Sequence, residues 1–271
     1  MGVFSMDEFS GIRTKYFYDS CYDCIFSLSK VFCKRYNNGI SKIRKKGGEN
    51  MVDALFIGAH PDDYEAFGGG TILRLKKEGK SCGGIILTDG SAGRNNDINV
   101  RKMEAEHAAK SLKLDYFEMI GLKDGYLNEI NNLAALIANL IRKYRPKILF
   151  THYFEDKHPD HKAVGESTKD ALFLARTKRE DLENEPYNCS NVLMFISDIT
   201  KIPQSKFHVD ITDFLEDKIK VLRLYESQRE VLEPIPLMNK YIAADVLEGR
   251  NKAVEVFYPL TLVKGEGYYV L

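Results

Sequence analysis

Two alternating periodicities constrain this chain more than any other feature. Apolar runs of strand length occupy 53–59, 83–88, 116–120, 147–152 and 192–197. Stretches with apolar residues at helical spacing fill the gaps, at roughly 69–79, 99–113, 129–143 and 161–176. Strands that recur after helices need crossover connections. The pattern therefore predicts an α/β fold: a Rossmann-like, doubly wound, mostly parallel sheet covered by helices on both faces. A further helix is expected over 212–227, followed by a mixed tail.

The first 50 residues are of another kind, aromatic-rich and then basic, ending Ser41-Lys42-Ile43-Arg44-Lys45-Lys46-Gly47-Gly48. They read as an N-terminal extension and linker over 1–50, with one catalytic domain over 51–271. At 44% apolar, the 271 residues bury a sizeable core. Lysine plus arginine equals aspartate plus glutamate at 39 each, so the basic excess on which nucleic-acid binding depends is absent, and nucleic acid is not an expected partner. Five cysteines (Cys21, Cys24, Cys33, Cys82, Cys189) are too few and odd in number for a disulfide framework. The Cys21-x-x-Cys24 pair and Cys33 read as buried apolar thiols, since no histidine stands near them. No apolar run reaches membrane-spanning length, and the start lacks the basic and apolar regions of a signal peptide. A cytoplasmic protein with no transmembrane segment is expected. A homo-oligomer is compatible with the aromatic extension.

In open sheets of this kind, ligands bind beyond the carboxyl ends of the strands, where strand order reverses. Two clusters of reactive residues stand at such ends. The first apolar run, Ala54 to Ala59, leads into His60-Pro61-Asp62-Asp63, then Glu65 and Gly68-Gly69-Gly70. The fourth, Ile148-Leu149-Phe150-Thr151-His152, leads into His158-Pro159-Asp160-His161. If the two strands are neighbours, the clusters face each other. Buried histidines and carboxylates cost free energy unless paired or bound to metal.

Imidazole nitrogens and one carboxylate suit Zn²⁺, with Fe²⁺ and Co²⁺ also acceptable, and a cation of this kind activates water near neutral pH. His60 and Asp63 are close enough for a tight turn to aim both at one ion. The third ligand comes from the second cluster, as His158 or His161. Asp62 is placed as general base, and the remaining histidine as oxyanion stabiliser or proton donor. Asp160 is expected to orient that histidine by accepting its other N–H. Two rival readings use the same residues. One is a non-haem Fe(II) oxygenase with His60, Asp62 and His161 as its two-histidine, one-carboxylate set. The other is a non-catalytic sugar-binding protein on the same fold.

Ala59-His60-Pro61-Asp62-Asp63-Tyr64-Glu65 with the glycines to Gly70, and His158-Pro159-Asp160-His161, resemble the PIG-L/LmbE-like zinc de-N-acetylases. Leu87 to Gly93, Arg101 to Glu106 and Gly121-Leu122-Lys123-Asp124-Gly125 look like the same family. The resemblance runs from about Ala54 to Ala175. It implies removal of the N-acetyl group from an N-acetylglucosamine-type amino sugar conjugate, a small-molecule substrate, with one Zn²⁺ per chain. Carried over by position, it makes His60, Asp63 and His161 the ligands and Asp62 the base. It sets His158, paired with Asp160, towards the oxyanion, and makes Arg101 a substrate contact. Ser227-Gln228 and the run Glu155-Asp156-Lys157-His158 resemble the bacillithiol-pathway branch. Some members carry a tyrosine at the place of Asp156, as a second oxyanion donor, and often a histidine at the place of Tyr225.

Overall fold

β1 (Ala54–Gly58) and β4 (Ile148–His152), the two strands that carry the reactive clusters, lie side by side. In the computed structural model, which describes residues 51–93, 97–247 and 251–261, the elements follow the expected alternation. After β1 come α1 (Asp63–Lys77), β2 (Cys82–Thr88), α2 (Ile98–Ser111), β3 (Tyr116–Leu122) and α3 (Leu133–Tyr144). After β4 come α4 (Pro159–Arg176), β5 (Val192–Phe195), β6 (Phe207–Asp210), α5 (Leu215–Leu222), α6 (Arg229–Leu232), α7 (Ile235–Val246) and β7 (Val254–Thr261). The extension read over 1–50, with three of the five cysteines, lies outside the described residues. Among the described residues, Cys82 and Cys189 are buried free thiols, and no helix is long and apolar enough to cross a membrane.

The seven strands are ordered β3-β2-β1-β4-β5-β7-β6. The first five pair in parallel, and β7 runs antiparallel between β5 and β6. From β1 the chain moves outward through β2 to β3, then returns to the other side of β1 for β4. The switch point therefore falls between β1 and β4, where Ala54 pairs with Ile148 and Phe56 with Phe150.

The period-two alternation of β1 sorts its side chains between two cores. Ala54 and Phe56 join Tyr64 and Ile72 of α1, Ala105 and Ala108 of α2, and Leu215 and Val221 of α5. Leu55 and Ile57 join Ile137 and Ile141 of α3 and Val164 and Ala171 of α4. Each large apolar side chain fully buried in this way contributes about 1.5–3 kcal/mol. Such double coverage holds the strand ends, and hence the two clusters, in fixed register.

Two elements differ from the sequence expectation. α1 begins at Asp63 rather than near 69, and Gly68-Gly69-Gly70 all lie inside it. A Cβ on Gly70 would stand 2.7 Å from the Ile211 side chain, so the bare backbone lets α1 seat directly on that segment. Glycines contribute no apolar side chain, which is why the helical pattern starts late in the sequence. The tail is also more ordered than expected, supplying α6, α7 and the antiparallel β7. Glu255 of β7 accepts hydrogen bonds from Gly70 N (2.8 Å), Thr71 N (2.7 Å) and Lys218 Nζ (2.7 Å), fastening the tail to α1 and α5. The helix expected over 212–227 is shorter: α5 with a 3₁₀ turn on either side, Thr212–Phe214 and Glu226–Gln228.

Candidate metal centre and active site

Beyond Gly58 the chain turns sharply over His60-Pro61-Asp62 into α1. Asp62 takes φ 106° and ψ −20°, a left-handed conformation that strains a non-glycine residue by about 1–3 kcal/mol. The turn folds Asp63 back so that its Oδ2 accepts the His60 backbone N–H at 2.6 Å. On the other side of the switch point, α4 opens with proline at its first position and His158 as its cap. His158 Nδ1 accepts the Asp160 backbone N–H at 3.2 Å. His161 lies within the first turn, facing back to α1.

Three side chains converge. His60 Nδ1 is 3.2 Å from His161 Nε2 and 3.3 Å from Asp63 Oδ2, and His161 Nε2 is 3.1 Å from Asp63 Oδ1. Donors on a tetrahedral zinc, at bond lengths near 2.0–2.2 Å, stand about 3.3–3.6 Å from one another. The donor set and its spacing fit one divalent cation. Donor atoms also lie within 4.8 Å of one another in three overlapping sets, His60 with His158 and His161, Asp63 with His152 and His161, and His60 with Asp124 and Asp160. The last set lies on the far side of the His60 ring. There, Nε2 is 3.1 Å from Asp124 Oδ1 and 3.1 Å from Asp160 Oδ2, the carboxylate-on-histidine arrangement that orients a metal-ligating ring. His161 is backed similarly: Asp156 Oδ2 lies 3.3 Å from its Nδ1, at ion-pair distance but without hydrogen-bond alignment.

Burial disfavours charge throughout the site, and the carboxylates oppose it. Burial works against a proton on His161, but Asp63 and Asp156 outweigh it and push the imidazole up to about 9. On His60 the same contest, with Asp63, Asp124 and Asp160, ends well above the ordinary range. His152 goes the other way, down to about 4, through burial and the neighbouring His161. Burial pushes the Asp62 carboxyl up to about 6, against the lowering influence of Arg101. His158 is held below its usual range by burial and by His161 and His60.

The expected partnership of His158 with the Asp160 carboxylate is absent. That carboxylate takes His60 Nε2 and the backbone N–H groups of Gly125 (2.7 Å) and Leu127 (3.0 Å), and only the Asp160 main chain meets His158. The reason is helical geometry: residue 160 points inward off the first turn, towards β1, while its amide faces the cap. Arg101 is also placed differently from an open substrate contact. It is 2% exposed, and its Nη2 donates to Asp62 Oδ2 (3.0 Å) and Pro61 O (2.5 Å) while Nη1 donates to Ser227 Oγ (3.2 Å). Ser227 in turn donates its N–H to Glu104 at 2.8 Å, so the Ser-Gln turn braces the arginine that holds Asp62. Asp62 pairs through Oδ2 with Arg101 and joins none of the three donor sets among the described residues, so the His60, Asp62 and His161 set of the iron-oxygenase reading does not converge as a group. Tyr153 packs against Phe154 and Tyr258. Tyr225 is buried and donates to Glu65 Oε1 at 2.7 Å.

Three residues of the site have no role in the sequence reading: Asp124, Asp156 and His152. Asp124 stands in a family-like segment, Asp156 reads only as the place of a missing tyrosine, and His152 is the last residue of a predicted strand. In each case the signal is present as a polar residue at a strand end, but its partner is far along the chain.

Residues 55–172 match the family described as GlcNAc-PI de-N-acetylase, PIG-L. The chain is similar to the diacetylchitobiose deacetylase of Thermococcus kodakarensis, 28% identical over 224 residues that cover 75% of this chain and 81% of that one. It is similar to the probable N-acetyl-alpha-D-glucosaminyl L-malate deacetylase 2 of Bacillus subtilis, 28% identical over 190 residues, 65% of this chain and 83% of that one. The crystal structure of the conserved protein TT1542 from Thermus thermophilus superposes with a TM-score of 0.71 at 27% identity, covering 82% of this chain and all of that one. Both reactive clusters fall inside the stretch that resembles the PIG-L family.

Proposed function

We propose that the chain is a metal-dependent N-deacetylase, with Zn²⁺ the expected ion, that hydrolyses the N-acetyl group of an N-acetylglucosamine-type sugar conjugate to acetate and a free amine. The observation that carries the reading is the convergence of His60, Asp63 and His161 at 3.1–3.3 Å, with the Asp62 carboxylate and His158 beside them. Family and relatives supply the reaction class; the names of the relatives supply the sugar.

A divalent ion held by His60, Asp63 and His161 supplies Lewis acidity and lowers the pKa of water. The chain's own residues do the rest. Asp62, with a carboxyl near 6, is ionised at neutral pH and accepts the proton of the attacking water. The amide carbon gains a C–O bond and loses its C–N bond, and the proton taken by Asp62 passes to the departing amine. His158 stays neutral, and because Nδ1 accepts from Asp160 N–H, its proton sits on Nε2, free to donate to the oxyanion. Asp124 and Asp160 fix the His60 ring, Asp156 backs His161, and Arg101 holds the Asp62 carboxylate in place.

The test is amine release by Zn²⁺-loaded protein from a panel of N-acetylglucosamine conjugates, with acetate measured in parallel. Equimolar amine and acetate from at least one conjugate is expected. A metal-replete protein that released neither from any of them would overturn the reading.

A further inference from the structure

We infer that His152, buried beneath the candidate metal centre, is a positioning residue that holds Asp63 and His161 in their ligating orientations. The inference rests on the metal reading above. His152 is the last residue of β4 and is fully buried. Its Nε2 lies 3.0 Å from Asp63 Oδ2, to which the Nε2–H tautomer donates, and 2.9 Å from the Ala59 backbone nitrogen. Its ring stacks on His161, with centroids 3.9 Å apart and planes 16° from parallel, and stands edge-on to Phe195 on its other side. One imidazole thus touches two of the three ligands and the backbone just before the third.

That geometry also excludes His152 as a ligand alongside His161. An imidazole binds metal in its own ring plane, through the nitrogen lone pair. Two rings stacked nearly parallel at 3.9 Å have no common in-plane point where one ion can sit. What the ring does instead is mechanical. It walls one face of His161, so that ring cannot rotate about its Cβ–Cγ bond without losing the stack. It also closes one side of the Asp63 carboxylate, whose other contacts are His60 N–H, His60 Nδ1 and His161 Nε2. Groups that orient metal ligands in this way matter to affinity, and losing one costs about 10–100-fold.

The experiment uses the full chain, with His152→Phe and His152→Gln. Phenylalanine keeps a flat ring on His161 but has no nitrogen beside Asp63 and Ala59; glutamine places an amide near Nε2. Zn²⁺ affinity is measured by competition with a chelator, the ligand field by the visible spectrum of the Co²⁺ form, and folding by thermal melting of the metal-free protein. The Phe variant is expected to melt cooperatively, bind Zn²⁺ about 10–100-fold more weakly and show an altered Co²⁺ spectrum, with Gln recovering most of the loss. Wild-type affinity in the Phe variant overturns the inference, as does a Gln variant as weak as Phe. If Phe gives no cooperative melt, His152→Asn, polar but too short to reach Asp63, takes its place in the same comparison. A wild-type protein that binds no Zn²⁺ overturns the metal reading itself, a failure seen before any variant is made.

Discussion

Asp160 holds His60, not its near neighbour His158: its Oδ2 lies 3.1 Å from His60 Nε2 across the switch point. Two backbone amides, Gly125 and Leu127, anchor the same carboxylate. The main chain of Asp160 meanwhile caps His158 through its N–H. A single residue therefore meets His60, the proposed ligand, with its side chain and His158, the proposed oxyanion donor, with its backbone, and substitution separates the two contacts.

Asp160→Asn removes the charge opposite His60 but keeps the backbone N–H that meets His158. We expect Zn²⁺ affinity to fall about 10–100-fold, while kcat at full metal occupancy stays close to wild type. Chelator competition paired with amine-release kinetics at saturating Zn²⁺ reads both. A kcat as low as that of His158→Ala, with metal bound normally, would restore the pairing expected from the sequence.

Asp62 is the carboxylate of the first cluster that stands outside the ligand set. Asp62→Asn is expected to keep its metal and lose about 10²–10⁴-fold in turnover, the usual effect of removing a general base. Arg101 lowers the Asp62 carboxyl against burial. Replacing it, as Arg101→Met, therefore raises that carboxyl, and the acid limb of kcat/KM moves to higher pH. An acid limb that stays in place or moves to lower pH would remove Asp62 from the base role.

Metal and protons compete for the same nitrogens. Asp63 and Asp156 overcome burial to hold His161 at about 9, so at pH 7 the metal-free site carries a proton there. A ligand must be neutral, so Zn²⁺ uptake expels that proton, and affinity rises about tenfold per pH unit between pH 7 and 9 from this residue alone. Calorimetric titration in two buffers of different ionisation enthalpy counts the protons released. Release of none at pH 7 would mean that His161 is already neutral before the ion arrives.

How far the sequence reveals this protein depends on how local each signal is. Strand and helix alternation is a local pattern, so β1 to β5 and the two reactive clusters at their ends are legible in it. Chain order leaves open whether β1 and β4 are neighbours; their parallel pairing brings the two clusters together. What escapes is set by contacts distant in sequence. α1 starts six residues earlier than its apolar periodicity, because Gly68 packs on Phe56 and Phe195, Gly69 on Lys218 and Gly70 on Ile211 rather than contributing side chains. β7 is hidden because its antiparallel place depends on β5 and β6. Asp124 and His152 look like ordinary polar residues at strand ends until His60 and Asp63 are set against them.

Away from the site, Asp53 ties together the starts of three strands. Its Oδ1 accepts from Lys147 Nζ at 2.7 Å, and its Oδ2 from Ser81 N (2.8 Å) and Ser81 Oγ (2.9 Å), just before β1, β4 and β2. Burial raises its carboxyl, but Lys147 and Ser81 outweigh that and bring it down to about 2 from 3.8. The folded value lies below the unfolded one, so the stabilisation is complete at neutral pH and is lost as pH falls through 4 towards 2. The carboxylate is partly exposed, so we assign it about 1–2 kcal/mol rather than the full value of the shift. Urea unfolding of wild type and Asp53→Asn should show a constant gap from pH 7 to 5, about half closed by pH 3. Lys147→Met raises the Asp53 carboxyl, so in that background the gap is smaller and its closure is complete at a higher pH. A gap that did not narrow between pH 5 and 3 would show that the hydrogen bonds to Ser81 and Lys147, and not the charge on Asp53, carry its contribution.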